Sequence, residues 1–193
     1  LVDEKQPNGW NKQIEDWKKA HPLRYGTPKG KLTPQYIIEK LYELTAGKAI
    51  ITTEVGQNQM WTAQFYKFDE PRTFISSGGL GTMGYGLGAA IGACIGRPDR
   101  RVINVAGDGS FKMNSTELAT VSRYKLPIIQ LVLNNQALGM VRQWQRLFYN
   151  GRFSYTTLGS DVDFVKLADA YGIKGFRVTS NEEVEGTLKQ ALE

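Results

Sequence analysis

Short apolar runs alternate with segments of helical periodicity along most of the chain, and this alternation predicts the fold. The runs that predict strands are residues 49–53, 73–76, 101–106, 128–133 and 175–178. The segments that predict helices are residues 11–20, 59–65, 85–95, 115–124, 139–148, 163–171 and 182–192. Two of the strands are almost wholly apolar, which is typical of parallel strands buried on both faces. The sequence therefore predicts a doubly wound α/β fold, with a mainly parallel sheet and helices on both faces.

The first 31 residues differ from the rest of the chain. They are polar, contain three prolines and show only the one short helical segment. Thr33 and Pro34 then form a typical helix start, with Thr as N-cap and Pro at the first helical position, and Gly47 is a suitable C-terminal stop. We expect residues 1–31 to be a linker from a missing preceding domain, and residues 32–193 to be one domain, the C-terminal fragment of a longer chain.

The composition argues against several classes of function. Cys94 is the only cysteine and His21 the only histidine, which excludes an intrachain disulfide and a cysteine-rich metal site and disfavours a histidine-dependent hydrolase. No apolar run is long enough to predict a membrane span, and no signal-peptide pattern opens the chain. The net charge of +5 leaves a basic nucleic-acid-binding module as an alternative. However, +3 of that charge lies in residues 1–31, so a solvated basic linker is favoured.

Polar or glycine-rich segments follow four of the predicted strands, and they begin at Glu54, Ser77, Gly107 and Asn134. The carboxyl ends of parallel strands meet at one edge of a sheet, and doubly wound folds bind ligands there. We therefore expect these four segments to form one site.

The segment Gly79-Leu80-Gly81-Thr82-Met83-Gly84 matches the dinucleotide fingerprint G-x-G-x-x-G. A dinucleotide-binding domain is thus an alternative, although the preceding strand is short and Asp99 supplies the expected acidic residue only roughly. The helix that follows carries glycines at a spacing of four residues, namely Gly88, Gly92 and Gly96. Glycines at this spacing share one helix face, and each weakens the helix by up to ~1 kcal/mol relative to alanine. That face is therefore predicted to pack closely against another backbone.

A stronger signal is Gly107-Asp108-Gly109-Ser110, which is followed by Asn134-Asn135 at the end of the next predicted strand. One βαβ unit makes these strands neighbours or near neighbours, so the carboxylate of Asp108 and the amide oxygen of Asn135 are expected to converge. Oxygen ligands of this kind suit Mg²⁺, which completes its shell with phosphate oxygens and water. The two glycines would expose backbone N–H groups to a diphosphate, and Asn114-Ser115-Thr116-Glu117 predicts a capping box that opens the next helix.

The run from Gly107-Asp108-Gly109 to Asn134-Asn135 resembles the motif of thiamine-diphosphate-dependent enzymes, which starts with G-D-G, ends with N-N, and binds Mg²⁺ and the cofactor's diphosphate. Residues 30–193 are similar to the C-terminal domain of acetolactate (acetohydroxyacid) synthase catalytic subunits. The segments that carry this similarity are Glu54-Val55-Gly56-Gln57-Asn58-Gln59-Met60-Trp61, Ser77-Gly78-Gly79-Leu80-Gly81-Thr82-Met83-Gly84-Tyr85-Gly86 and Leu138-Gly139-Met140-Val141-Arg142-Gln143-Trp144. Asn58 and Glu54 depart from that family, which usually has His and often has Asp at these positions.

The resemblance implies a role for each matching residue. Asp108 and Asn135 would ligate Mg²⁺ through their side chains, and Ala137 through its main-chain oxygen. The residues implied to bind the diphosphate end are Gly56, Gln57, Gly109, Ser110, Leu138 and Gly139, and the wider cofactor-binding set adds Val55, Asn58 and Gly107. The residues implied to meet the organic part are Gly81 and Met83 at the aminopyrimidine and Met140 and Val141 at the thiazolium. The implied catalytic residues are Met83, Met140 and Trp144, with Trp144 in the substrate channel; core packing is the alternative for these three.

The activity implied is decarboxylation of pyruvate and addition of the hydroxyethyl unit to a second 2-ketoacid, in branched-chain amino-acid biosynthesis. The resemblance also implies a cytoplasmic, bacterial-type flavoprotein that forms a homodimer or tetramer, with a regulatory small subunit as a further partner and FAD bound mostly outside this fragment. The family's essential glutamate belongs to an N-terminal domain of a partner subunit, so this fragment alone is expected to be inactive. Partners are not expected to include nucleic acid or membrane. A pyruvate oxidase or a 2-ketoacid decarboxylase is an alternative within the superfamily.

Overall fold

The computed structural model describes residues 9–26, 30–159 and 161–193, and the strands in these residues form one parallel sheet. The strands are β1 (Ile50–Thr53), β2 (Phe74–Ser76), β3 (Val102–Gly107) and β4 (Ile128–Leu133), in the order β2-β1-β3-β4. Ile51 pairs with Ile103, and Ile103 pairs with Ile129, so the carboxyl ends of these strands lie at one edge. The strand order reverses between β1 and β3, which is where doubly wound sheets bind ligands.

Helices connect the strands and mostly match the segments of helical periodicity. They are α1 (Gly9–Ala20), α2 (Pro34–Thr45), α3 (Gln57–Phe65), α4 (Gly86–Gly96), α5 (Asp108–Asn114), α6 (Leu118–Tyr124), α7 (Gly139–Phe148), α8 (Phe164–Ala170) and α9 (Asn181–Leu192). As predicted, α2 begins at Pro34 after an extended Thr33, and it ends where Ala46 and Gly47 adopt left-handed conformations. This conformation is typical of helix C-termini because it lets later N–H groups bond the last carbonyls.

Alternate side chains of the strands enter two apolar cores, one on each face of the sheet. Ile51, Ile103 and Val105 pack against α2, α3 and α9. Val102 packs against α4, and Ala106 packs against α4 and α6. Successive side chains of a strand point to opposite faces. Because these strands carry apolar side chains on both faces, helices must cover both sides of the sheet. The prediction of an α/β fold with helices on both faces is confirmed.

The chain departs from the predicted elements at two places. Residues 173–179 form no strand, because Gly175 packs on Val165 of α8 and the Arg177 guanidinium donates to Asp163 at 2.8 Å, which holds this segment against the helix. The segment predicted as a helix from residue 115 instead begins with a 3₁₀ turn (Ser115–Glu117), and α5 precedes it without having been predicted. The predicted capping box is absent as well, since the Asn114 side chain donates to the Gly84 carbonyl instead.

The prediction of a closely packed glycine face on α4 is wrong. A Cβ added at any of the three glycines on that face, Gly88, Gly92 and Gly96, would meet nothing within 4 Å. The helix instead turns its other face to the sheet, with Leu87, Ala90 and Cys94 buried. The close approach occurs at Gly86, where a Cβ would lie 2.8 Å from the backbone nitrogen of Glu54.

Within its described residues, the N-terminal segment contacts the domain through Tyr25. Helix α1 has no buried residue, whereas the Tyr25 ring packs edge-on against Phe65 at 5.2 Å and its hydroxyl donates to Glu39. Residues 1–8 and 27–29 of the predicted linker lie outside the described residues, and the proposed domain boundary stays a prediction. In the part of the chain that the structure describes, no helix has the length and apolar character needed to cross a membrane.

Candidate functional site

A pocket lies at the carboxyl ends of β1, β3 and β4. It is lined by Val55, Gly56, Gln57, Asn58, Trp61, Met83, Gly107, Gly109, Ser110, Leu133, Asn135, Ala137, Leu138, Gly139, Met140 and Val141. Three of the four segments identified after the strands line the pocket. The fourth, Ser77-Gly78-Gly79, does not, although Met83 farther along the same loop does. The structure therefore brings together most of the residues that the sequence assigned to a cofactor.

Asp108 lies at the start of α5, directly after β3, and is only 1% exposed. Neither carboxylate oxygen has a hydrogen-bond partner among the described residues. Burial raises the pKa of Asp108. The backbone N–H groups of Asp108 and Asn135 and the charge of Lys112 favour the ionised form from nearby, but neither N–H group meets the geometry of a hydrogen bond to the carboxylate. A buried carboxylate without a partner is costly, and proteins keep one where a cation or a reaction requires it.

The loop after β4 presents Asn135 and Ala137 beside this carboxylate-bearing turn. The Asn135 side-chain oxygen accepts the Ala137 N–H at 3.0 Å, which tightens the loop around Gln136 in its left-handed conformation. A second segment fastens the loop from outside, because Leu138 donates its N–H to the Thr156 carbonyl at 2.9 Å. Both hydrogen bonds form within the chain itself and stabilise this loop conformation.

These groups fit Mg²⁺. Asp108 offers two unpaired oxygens, and the Asn135 oxygen accepts only one hydrogen bond, so further lone pairs are free to ligate. Mg²⁺ prefers such hard oxygen ligands and takes few from the protein when phosphate supplies the others. Among the described residues, no three His, Cys, Asp or Glu side chains lie close enough together to form another metal site.

Gln57 and Asn58 open helix α3 at the same edge. The Gln57 amide donates to Gln143 of α7 at 2.9 Å, which ties α3 to α7 beside the pocket. The Asn58 amide nitrogen donates to the carbonyls of Glu54 and Val105 at 3.0 and 2.9 Å, and Asn58 is buried. Both of its N–H groups are therefore used within the protein, which leaves its side-chain oxygen, near Gly56 and Gly107, for the pocket.

Glu54 has a role that the sequence did not reveal. It is fully buried, and its carboxylate accepts the N–H groups of Gly84, Gly86 and Leu87 at 2.8, 2.9 and 3.2 Å and the Ser110 hydroxyl at 2.8 Å. An internal carboxylate thus occupies the N-terminus of α4. A dinucleotide fingerprint places a pyrophosphate at that point of the helix, so this arrangement argues against the dinucleotide-binding alternative.

Three predicted site residues do not line the pocket. Asp108 lies buried beneath it, and Gly81 lies near its edge, where an added Cβ would be 3.9 Å from Val55. Trp144 is 59% exposed on α7 and stacks edge-on with Phe148, so its role in a substrate channel stays a prediction. The pocket also includes Trp61 and Leu133, to which the sequence analysis assigned no role in the site. Their positions could have predicted this, since Trp61 lies one helical turn after Gln57 and Leu133 is the last residue of β4.

Comparison with known proteins agrees with this geometry. Residues 54–193 match the family model described as thiamine pyrophosphate enzyme, C-terminal TPP binding domain. The chain is 48% identical over 184 residues to acetolactate synthase isozyme 3 large subunit of Escherichia coli K12, which covers 95% of this chain and 32% of that protein. It is 48% identical over 191 residues to the mitochondrial acetolactate synthase catalytic subunit of Saccharomyces cerevisiae, covering 96% of this chain and 28% of that protein.

A more distant source gives a similar result. The probable acetolactate synthase large subunit of Methanocaldococcus jannaschii is 44% identical over 194 residues, covering 97% of this chain and 33% of that protein. The chain thus spans about a third of the length of the curated relatives it matches. The family match begins at Glu54, the first residue after β1, and includes every segment that forms the pocket. Together with the pocket at the switch point of its parallel sheet, this match shows that the chain belongs to the family of C-terminal TPP-binding domains of thiamine pyrophosphate enzymes.

Proposed function

We propose that this chain binds thiamine diphosphate through Mg²⁺ and is the cofactor-binding part of an acetolactate synthase catalytic subunit. The observation that carries the proposal is the buried, unpartnered carboxylate of Asp108 beside Asn135 at the edge of the sheet. Mg²⁺ would be held by these two side chains and by the main-chain oxygen of Ala137. The relatives' names support the assignment to acetolactate synthase rather than to a pyruvate oxidase or a decarboxylase.

The diphosphate would be bound mainly by backbone N–H groups. Gly109 and Ser110 lie in the first turn of α5, where N–H groups lack an intrahelical acceptor, and both residues line the pocket. The Ser110 hydroxyl already donates to Glu54, so the backbone of this residue, not its hydroxyl, would donate to the diphosphate. Gly56, Gln57, Leu138 and Gly139 line the pocket on the α3 and α7 sides. The N–H groups of Gly56, Gln57 and Gly139 and the second N–H of the Gln57 side-chain amide would complete this binding, together with Val55 and Gly107. Leu138 would contribute its side chain, because its N–H already donates to the Thr156 carbonyl.

The apolar residues of the pocket would orient the organic part of the cofactor and exclude water from it. Met83 belongs to the loop before α4, and Met140 and Val141 belong to the first turn of α7, so the two sets come from different sides of the sheet edge. Thioether side chains adapt to an irregular aromatic ligand because they are unbranched and polarisable. When bound, thiamine diphosphate supplies an electron sink for the carbon that loses CO₂.

The binding proposal is tested by isothermal titration calorimetry of the 193-residue chain. We expect thiamine diphosphate to bind with Mg²⁺ present, and to lose nearly all of its affinity when EDTA removes the metal. NAD is the comparison ligand, because it carries a pyrophosphate and would bind if the glycine fingerprint of residues 79–84 were functional. Binding of NAD but not of thiamine diphosphate, or binding of thiamine diphosphate that ignores Mg²⁺, would contradict the proposal.

The wider activity is proposed for the complete catalytic subunit. It would decarboxylate pyruvate and transfer the two-carbon unit to a second 2-ketoacid, with Trp144 near the acceptor. In that subunit Trp144→Leu should change the ratio of products from two competing 2-ketoacids, and an unchanged ratio would remove this role. Bound FAD, a homodimer or tetramer, a regulatory small subunit and a cytoplasmic location stay predictions from the resemblance.

A further inference from the structure

Gly84 takes part in three hydrogen bonds beside the pocket. Its N–H donates to Glu54 at 2.8 Å and approaches the Ser110 hydroxyl oxygen at 3.1 Å, while its carbonyl accepts the Asn114 side-chain amide at 3.1 Å. Its φ of +85° is a left-handed conformation that favours glycine. Met113 and Asn114 pack on its open side, where a Cβ would lie 3.5 and 3.6 Å from theirs.

The anchors of Gly84 come from separate parts of the fold. Glu54 follows β1, Ser110 lies in the first turn of α5, and Asn114 ends that helix. Glu54 is fully buried and Ser110 is 2% exposed, so the hydrogen bond between them and their bonds to Gly84 are shielded from water and hold the loop strongly. The loop before α4 is thereby joined to the same turn that carries Asp108.

The residue directly before Gly84 is Met83, which lines the pocket. An apolar thioether can contact the organic part of a ligand favourably but gains nothing from a diphosphate. The N–H and the carbonyl of Gly84, the residue after Met83, are both hydrogen-bonded. The backbone from which the Met83 side chain reaches the pocket is therefore held in place.

We propose that Glu54 and Asn114 are positioning residues that hold Met83 against the organic part of the bound ligand. The inference rests on the proposed binding of thiamine diphosphate and adds two residues that touch no ligand themselves. Asn114 is the better residue to change, since removing its amide leaves the buried carboxylate of Glu54 with all of its donors.

The test compares two ligands by calorimetry at constant Mg²⁺: thiamine diphosphate, and inorganic pyrophosphate, which lacks the organic part. We expect Asn114→Ala to weaken thiamine diphosphate binding about fivefold to tenfold, as expected for the loss of one hydrogen bond, and to change pyrophosphate binding less than about twofold. Glu54→Gln should weaken thiamine diphosphate binding more and should also weaken pyrophosphate binding, because Glu54 bonds Ser110 of the diphosphate-binding turn as well as the loop before α4. The matched control is Asn181→Ala, which removes a comparable side-chain bond, to the Thr33 N–H at 2.9 Å, at the start of α9.

A second measurement follows the Met83 methyl group by NMR in the ligand-free chain. Its resonance, assigned through Met83→Leu, should shift or broaden in Asn114→Ala, whereas that of Met60 in α3 should not change. Equal losses for the two ligands, no loss for thiamine diphosphate, or an unchanged Met83 resonance would overturn the inference. A wild-type chain that binds Mg²⁺ and pyrophosphate but not thiamine diphosphate would instead overturn the proposed function, and the inference with it.

Discussion

The contact between α4 and the end of β1 allows a sharp prediction about Gly86. A Cβ at this position would lie 2.8 Å from the backbone nitrogen of Glu54, 2.8 Å from the Thr53 carbonyl carbon and 2.5 Å from the Asn104 side-chain oxygen. Ordinary contacts begin at 3.4 Å, so the start of the helix would have to move by about 0.6 Å. Two of the three obstructing atoms are backbone atoms of a strand end, which cannot rotate away.

We expect Gly86→Ala to lower the free energy of unfolding by about 2 to 3 kcal/mol, the upper part of the range for overpacked sites. The displacement would stretch the bond from the Gly86 N–H to Glu54 and loosen Leu87 and Ala90, which are buried against the sheet. The matched control is Gly92→Ala in the same helix, where a Cβ meets nothing within 4 Å. That variant should raise stability by about 0.5 to 1 kcal/mol, because alanine is the better helix former.

Urea unfolding followed by circular dichroism measures both variants, with the change in midpoint converted through the common slope. The opposite signs are the decisive feature, since both changes add the same methyl group to the same helix. A Gly86→Ala variant as stable as Gly92→Ala would refute the packing argument.

Three further predictions concern single side chains. Glu54→Gln should lower the unfolding free energy by about 2 to 4 kcal/mol, because one carboxylate oxygen that accepts hydrogen bonds is replaced by an NH₂ group that faces buried donors. Gln145→Ala should raise the hydrogen-exchange rate of the Leu138 amide about tenfold, since Gln145 holds Ser154 and Thr156 of the segment that bonds it. Asp163→Asn should make stability less sensitive to acid. Backbone N–H groups of Lys166 and Val165 and the charge of Arg177 lower the pKa of Asp163, so its contribution is present above the ordinary carboxyl pKa and is lost as the pH falls through the lowered value.

Each of these predictions has a control and an outcome that would count against it. For Glu54, the control is Glu117→Gln, which loses only a bond from Thr120, and a cost below about 0.5 kcal/mol would contradict the role of the buried carboxylate. For Gln145, an unchanged exchange rate of the Leu138 amide would show that the loop after β4 does not depend on Gln145 for its stability. For Asp163, urea unfolding between about pH 6 and pH 3 should separate it from Asp169→Asn in the same helix, and parallel acid profiles would refute the capping argument.

The centre of the sheet was predictable because a strand buried on both faces, such as β3, consists mainly of apolar residues. Residues 128–133 form the edge strand β4, which is only partly buried, yet its apolar run gave limits that coincide with the observed ones. Helix α5 was not predicted because its seven residues begin with Asp108-Gly109-Ser110, a composition that also suits a turn. The segment 175–178 has strand-like residues, but its position against α8 depends on a contact with Val165 that no local pattern contains.

The site was predictable where its chemistry follows strand ends, and less so where it depends on orientation. Asp108 and Asn135 follow adjacent strands, so their convergence was implied by the sheet alone. Glu54 also follows a strand, yet its carboxylate bonds to the N-terminus of α4, and nothing in the sequence distinguishes that from a ligand contact. The glycine face of α4 was wrongly assigned because a period of four identifies a shared face but not the side of the helix that meets the sheet.

The most direct test of the central claim changes Asp108 alone. Because this carboxylate is buried without a partner, Asp108→Asn should leave the metal-free stability unchanged or raise it, while lowering the Mg²⁺-dependent affinity for thiamine diphosphate by at least about 100-fold. Asp99→Asn, at an exposed turn before β3, is the control and should bind as the wild type does. Calorimetry and urea unfolding on the same preparations give both quantities. Cofactor affinity within about threefold of the wild type in Asp108→Asn would contradict the account.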